Sequence, residues 1–117
     1  MNFSSPLKLN HIFQRLYRTS GQANSYLVLY ARKNRTDQNR VGITVGKKLG
    51  KAHIRNRLRR RLREVYRINE DRFLPGYDIV VVARSRGIDA PFAELERAYL
   101  TLAKKAGILV DFQEEIP

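Results

Sequence analysis

The chain contains no cysteine. Disulfides and thiolate-bound metals are therefore excluded, and nothing points to an oxidising compartment. Histidine is almost as scarce. His11 and His53 are the only two, and neither has a sequence-local set of further ligands. Acidic residues number 11 against 23 lysines and arginines, and most acids lie in the C-terminal half. No nucleophile–base signature and no phosphate-binding glycine loop is found. Long apolar runs are missing too. The most apolar stretch, Ile79 to Ala83, is far too short to span a bilayer. The opening residues, MNFSSPLKLNHIF, lack an apolar core and a cleavage-type ending, so no signal peptide is expected. A cytoplasmic protein without catalytic or metal-binding residues of its own is the resulting expectation.

What the sequence has in excess is positive charge. Its 117 residues suit one compact domain, and the formal net charge is +12. Residues 1–46 carry a net +6, residues 47–67 a net +9, and residues 68–117 a net −3. Such a balance calls for a polyanionic partner, either nucleic acid or an anionic membrane surface. Concentration into one segment of 21 residues favours a directed basic surface.

The hydrophobic pattern supplies a frame for that surface. Leu9, Ile12, Phe13, Leu16 and Tyr17 recur at helical spacing, predicting a short helix from about Asn10, as N-cap, to Thr19, with Gly21 as its stop. Ser25 to Arg32 and Arg40 to Gly46 read as strands. The short polar stretch between them predicts an antiparallel hairpin. A helix follows from about Ala52 to Asn69. At 100° per residue, Ile54, Leu58, Leu62, Val65, Tyr66 and Ile68 fall on one stripe, with Asn56, Arg59, Arg60, Arg63 and Arg67 opposite. Gly76 to Arg84 reads as a central strand buried on both faces. Asp89 is the expected cap of a last helix, with Pro91 in its first turn and Gly107 as its stop. The acidic tail, Ile108 to Pro117, has no evident role. The element order is helix, strand, strand, helix, strand, helix, an α+β arrangement of helices on a small mixed sheet.

Seven of the thirteen residues in RNRLRRRLREVYR, Arg55 to Arg67, are arginine. A solvated helix would mix signs to gain spaced ion pairs. Here Glu64 alone opposes ten basic residues of the segment. Packed on a core, such a face is costly unless phosphates neutralise it, and arginine forks bidentately onto phosphate. A membrane-surface helix would need its apolar face free for lipid, whereas the leucines are needed for the core. The RNR opening lies at a helix N-terminus, where unpaired N–H groups suit phosphate. Asn56 there could hold a phosphate, a sugar or a metal-bound water, or simply be a capping or solvated amide. Phe13 and Tyr17 share a helix face. Tyr26 and Tyr30 share a strand face with Val28 between them. These aromatics are either core or, on an uncovered sheet face, platforms for unpaired bases.

The stretch VGITVGKKLGKAHIRNRLRRRLREVYR, Val41 to Arg67, resembles the signature of the protein component of bacterial ribonuclease P. IFQRLYRTSGQANSYLVLY resembles that family's N-terminal helix and first strand, and GYDIVVVAR its third strand. Departures fall at Gly46, where serine is common, at His53, where an apolar residue is common, and at Arg61, where leucine or isoleucine is common. The resemblance implies a single RNA-binding domain over residues 1–117 (108–117 unassigned) with an unusual left-handed βαβ crossover. It implies the protein subunit of a ribonucleoprotein that removes the 5′ leader of precursor tRNA by endonucleolytic cleavage. The RNA subunit would perform Mg²⁺-dependent hydrolysis, and this chain would contribute no catalytic residue and no metal site. Carried over by position, the RNA-subunit surface is Lys47, Lys48, Lys51, Arg55, Asn56, Arg57, Arg59, Arg60 and Arg63. The leader cleft is Phe13, Tyr17, Val28 and Tyr30. Its partners would be the ribonuclease P RNA and precursor tRNA, with no membrane and no DNA. The competing class is a basic ribosomal or other nucleic-acid-binding module with no role in tRNA processing.

Overall fold

The computed structural model describes residues 4–6, 16–17 and 21–110. Of the expected N-terminal helix, only Leu16 and Tyr17 fall among these, and both are helical. Phe13, His11 and the Asn10 cap lie outside the described residues.

Five strands form one sheet: β1 (Ser4–Pro6), β2 (Gln22–Ala23), β3 (Leu27–Lys33), β4 (Asn39–Thr44) and β5 (Tyr77–Ala83), in the order β1-β4-β5-β3-β2. Helix α1 spans Ala52–Asn69, as its periodicity predicts, and α2 spans Phe92–Lys105. The short edge strands β1 and β2 carry no sequence pattern of their own.

The expected hairpin does not form. β5 lies between β3 and β4, antiparallel to β3 (Leu27 opposite Ala83) and parallel to β4 (Val41 opposite Ile79). The cause is β5 itself. Ile79, Val80 and Val81 are fully buried, so apolar side chains leave both of its faces, and only a central position covers both. The connection of five residues, 34–38, then crosses two strand spacings, about 10 Å, which is within reach of an extended chain. The parallel β4–α1–β5 connection is the unit for which the resemblance implies the rare hand.

Both helices pack on one face of the sheet. Leu58, Leu62, Val65 and Tyr66 of α1 and Leu95, Ala98, Tyr99 and Leu102 of α2 enclose Leu27, Leu29, Ile79 and Val81. Four or more fully buried aliphatic side chains on each layer, at about 2 kcal/mol apiece, make this the main source of cohesion. The opposite face carries Val80 with Leu16, flanked by Tyr30 and Val82.

Three further expectations need correction. Ile68 is 48% exposed, and Asn69 is buried instead. Ile68 lies about 120° around the helix from Leu62, outside the contact wedge. Asn69 lies within it and donates to the Val65 carbonyl (2.8 Å) and to Glu96 (2.8 Å). Asp89 does not cap α2. Pro91 occupies the N-cap in extended backbone, and its carbonyl accepts from the Leu95 N–H at 3.0 Å. A proline bars the preceding residue from helical backbone, so the helix cannot start near Asp89. Tyr26 does not share a face with Tyr30. The Asn24 carboxamide accepts from the N–H groups of Tyr26 (3.0 Å) and Leu27 (2.9 Å), and this local turn breaks the strand alternation. Tyr26 packs on the helix side, donates its hydroxyl to Glu94 (2.9 Å), and lies under Arg86.

The start of the unassigned tail is structural. Ile108 is fully buried, and the Leu74 and Val110 N–H groups donate to Ile108 and Arg72 carbonyls (2.8 and 2.7 Å). Among the described residues no helix is long and apolar enough to cross a membrane.

Candidate nucleic-acid interface

The chain leaves β4 through a single helical turn, Lys47–Leu49, and enters α1 at Lys51. Leu49 packs against the core and anchors this loop. Arg55 reaches back and donates to the Gly50 carbonyl at 3.0 Å, tying loop to helix. The N-cap, Lys51, makes no side-chain cap bond, and the first turn of α1 holds no acid. Lysine and arginine at this end oppose the helix dipole, at about 0.3–1 kcal/mol for each nearby charge. The leucine stripe holds the helix despite that cost. Uncapped N–H groups ringed by cations suit an anion.

Lys47, Lys48, Lys51, Arg57, Arg60 and Arg63 are exposed. None of them pairs with an acid among the described residues. Arg55 and Arg59 are partly covered, but their acceptors are neutral. Arg59 donates to the Asn56 amide oxygen at 2.6 Å. Asn56 therefore does not cap the helix. It sits on the exposed face. The helix's one acid, Glu64, is consumed by Arg67 in a two-pronged pair of 2.8 and 2.5 Å. The Arg67 guanidinium holds the Glu64 carboxyl below the usual carboxylate range, and the pairing pushes Arg67 up.

At the departures from the family pattern, the local geometry accommodates what is present. Arg61 turns away from the basic face and donates to the Ala90 carbonyl at 2.6 Å, joining α1 to the loop before α2. Lost hydration lowers its pKa, and nearby Arg57 adds to that. His53 is exposed. Gly46 has open space where a side-chain carbon would stand, so serine would fit there equally.

The second surface lies on the opposite face of the sheet. Tyr17 and Tyr30 meet edge to face, with ring centroids 5.1 Å apart. Tyr17 is 43% exposed. Gly21 backs Tyr30 so closely that a side-chain carbon there would come within 2.7 Å of the ring. Val28 and Tyr30 stand opposite Val82 and Val80 in the register. Tyr17, Val28 and Tyr30 are thus gathered on one face. Gly21, read from sequence only as a helix stop, clamps the ring.

Beyond Tyr30 the same face carries Arg40, which forks onto Asp78 with both bonds at 2.6 Å. Alternation alone cannot reveal this pair, because it depends on β4 and β5 being neighbours. Among the described residues no group of three or more histidines or acids is placed to hold a metal ion.

An uncompensated cationic helix and loop on one side, with a partly open aromatic face on the other, fit a class: small basic α+β RNA-binding proteins. Comparison with known proteins narrows it. The family model described as Ribonuclease P matches residues 1–107. The ribonuclease P protein component of Clostridioides difficile is 42% identical over 111 residues, covering 93% of this chain and 97% of that protein. Its counterpart in Alkaliphilus oremlandii is 42% identical over 104 residues, covering 88% and 91%. The solved RNase P protein of Staphylococcus aureus superimposes with a TM-score of 0.81 at 33% identity, covering 90% of this chain and 97% of that one. The Thermotoga maritima protein does so at 0.79 and 34%, covering 86% and 96%. The chain belongs to the ribonuclease P protein family, the protein subunits of a tRNA-processing ribonucleoprotein.

Proposed function

We propose that the whole chain acts as one RNA-binding domain with two jobs. Lys47, Lys48, Lys51, Arg55, Asn56, Arg57, Arg59, Arg60 and Arg63 bind the ribonuclease P RNA. Phe13, Tyr17, Val28 and Tyr30 hold the 5′ leader of precursor tRNA. Hydrolysis belongs to the RNA subunit and its Mg²⁺ ions, and this chain supplies no reacting group. It works in the cytoplasm with precursor tRNA and has no DNA or membrane partner.

The observation that carries this reading is the row of exposed and partly covered cations from Lys47 to Arg63 that lack acid partners among the described residues. Bringing two polyanions together is electrostatically costly, and phosphate neutralisation offsets that cost. A leader of variable sequence is best held by stacking and phosphate contacts rather than by a base-edge code. The tyrosine pair and the cationic surface match those two needs.

The test is cleavage of precursor tRNA at low Mg²⁺ by a bacterial ribonuclease P RNA, with and without the protein, and by the protein alone. Activity only with both components is expected. Cleavage by the protein alone would place the chemistry in this chain. No stimulation with several RNAs would leave only a general basic RNA-binding module. Tyr17→Ala should weaken precursor binding by about 1–3 kcal/mol and spare mature tRNA. Equal losses for both would mean a folding defect.

A further inference from the structure

The tyrosine cleft does not end at Tyr30. The strand alternation that puts Val28 and Tyr30 on one face puts Arg32 there too, roughly 7 Å further along. Arg32 stands opposite Asp78 in the register, yet Asp78 does not neutralise it. Both Asp78 oxygens are taken by Arg40 at 2.6 Å, and the Asn34 amide adds a bond of 3.1 Å. Arg32 is exposed and has no ion-pair or hydrogen-bond partner among the described residues.

The turn beyond it holds a second cation with no partner among the described residues. Arg35 is exposed and has φ of 64°, a left-handed conformation that suits glycine or asparagine. The turn is pinned around it. The Asn34 N–H donates to the Gly76 carbonyl (2.9 Å), the Asn34 amide donates to Gln38 (2.9 Å), and the Thr36 N–H donates to the Asn34 side chain (2.9 Å). Gly76, at φ 89°, lets the turn close down, since a side-chain carbon there would lie 2.6 Å from the Thr36 carbonyl oxygen. The turn's one acid, Asp37, lines a cleft with Tyr66 and Glu70, residues of the helix side.

We propose that Arg32 and Arg35 form a distal phosphate subsite, which takes leader nucleotides further from the cleavage junction than those stacked on Tyr17 and Tyr30. This rests on the leader-binding reading of the cleft and extends it. The basic loop at Lys47–Lys51 follows the C-terminal end of β4, and β3 runs antiparallel to the β4–β5 pair. Arg32 and Arg35 are therefore at the opposite end of the sheet. A leader entering beside the basic loop crosses the tyrosines first and these arginines last.

The test uses the assembled holoenzyme and precursors with leaders of about 4 and about 12 nucleotides, spanning typical single-strand site sizes. Arg32→Glu and Arg35→Gly should each weaken long-leader binding by roughly fivefold or more and flatten its salt slope by about 0.7. Short-leader binding should stay within about twofold. Arg35→Gly should also raise the melting temperature, because it relieves the backbone, so its binding loss cannot be ascribed to unfolding. Lys33→Glu is the control, because it carries the same charge change on the opposite strand face and should leave both leaders unaffected. Equal losses from Lys33→Glu would mean unspecific charge and overturn the subsite. Unchanged long-leader binding in both arginine variants, with a loss in Tyr30→Ala, would overturn the subsite and keep the leader cleft. No loss in Tyr30→Ala either would overturn the cleft as well.

Discussion

Removing Arg60 and Arg63 together should leave the fold intact and change how salt acts on RNA binding. Both side chains are exposed and make no hydrogen bond or ion pair among the described residues. Alanine at each site should move stability by no more than about 0.5 kcal/mol. The effect on binding can be bounded from the surface itself. Eight basic side chains, Lys47, Lys48, Lys51, Arg55, Arg57, Arg59, Arg60 and Arg63, belong to the proposed RNA-subunit face, and none pairs with an acid among the described residues. One phosphate each gives a log–log salt slope of about −7 as a ceiling, and loss of two makes it shallower by about 1.8. Between about 50 and 200 mM salt, the parental complex would weaken by roughly 10⁴-fold and the variant by roughly 10³-fold. Glu64→Gln should act in the opposite direction. It removes the one acid of α1 and frees Arg67 from its two-pronged pair, so binding should tighten and the slope steepen by up to about 0.9. Titration of labelled ribonuclease P RNA with each variant across a salt series measures both. A double alanine variant that keeps the parental slope would remove these arginines from the interface.

Two predictions concern the interior. Asn39 is 2% exposed and ties three elements together, donating to the Tyr66 hydroxyl and the Leu74 carbonyl (3.1 Å each) and accepting from the Tyr77 N–H (2.8 Å). Asn39→Ala strands these groups and should cost about 3 kcal/mol in urea unfolding; a loss under about 1 kcal/mol would show that they repair themselves. Tyr99 is fully buried, and its hydroxyl has no hydrogen-bond partner among the described residues. Burial, with the nearby Tyr66, pushes its ionisation far above the usual phenol range, so it stays neutral at any working pH. Tyr99→Phe should therefore stabilise the protein by about 1 kcal/mol on thermal melting, and a clear drop in melting temperature would reveal a partner for that hydroxyl.

Helix α1 was legible to the residue because Ile54, Leu58, Leu62, Val65 and Tyr66 recur at helical spacing and arginines fill most of the opposite side. The central character of β5 was equally plain from its unbroken apolar run. What those patterns could not supply was adjacency. A short polar link between two strands signals a hairpin only if nothing inserts between them, and the inserting strand lies far along the chain. Tyr26 was misplaced because one asparagine side chain rotates the backbone at a point where alternation is assumed to continue. Ile68 was misplaced because a helical stripe says which side is apolar, not where the core stops. Of the proposed cleft, spacing put Tyr17 on a helix face and Val28 with Tyr30 on a strand face, and only the family resemblance joined the two. The Gly21 clamp and the Arg40–Asp78 fork could not be picked out, since each depends on a contact between elements that only the sheet order brings together.

The central position of β5 also sets the order in which the molecule can become functional. While the chain is being made, β3 and β4 emerge early but have no partner in each other. Leu27 waits for Ala83, and Val41 waits for Ile79. Until then the leucines of α1 have no sheet to pack on, and a helix this rich in arginine has little reason to hold together alone. Such long-range pairing folds slowly compared with local contacts. The proposed RNA-binding face is thus the last thing to be presented rather than the first. An incomplete chain still offers positive charge, but it does not offer that charge at the spacing a folded RNA can use.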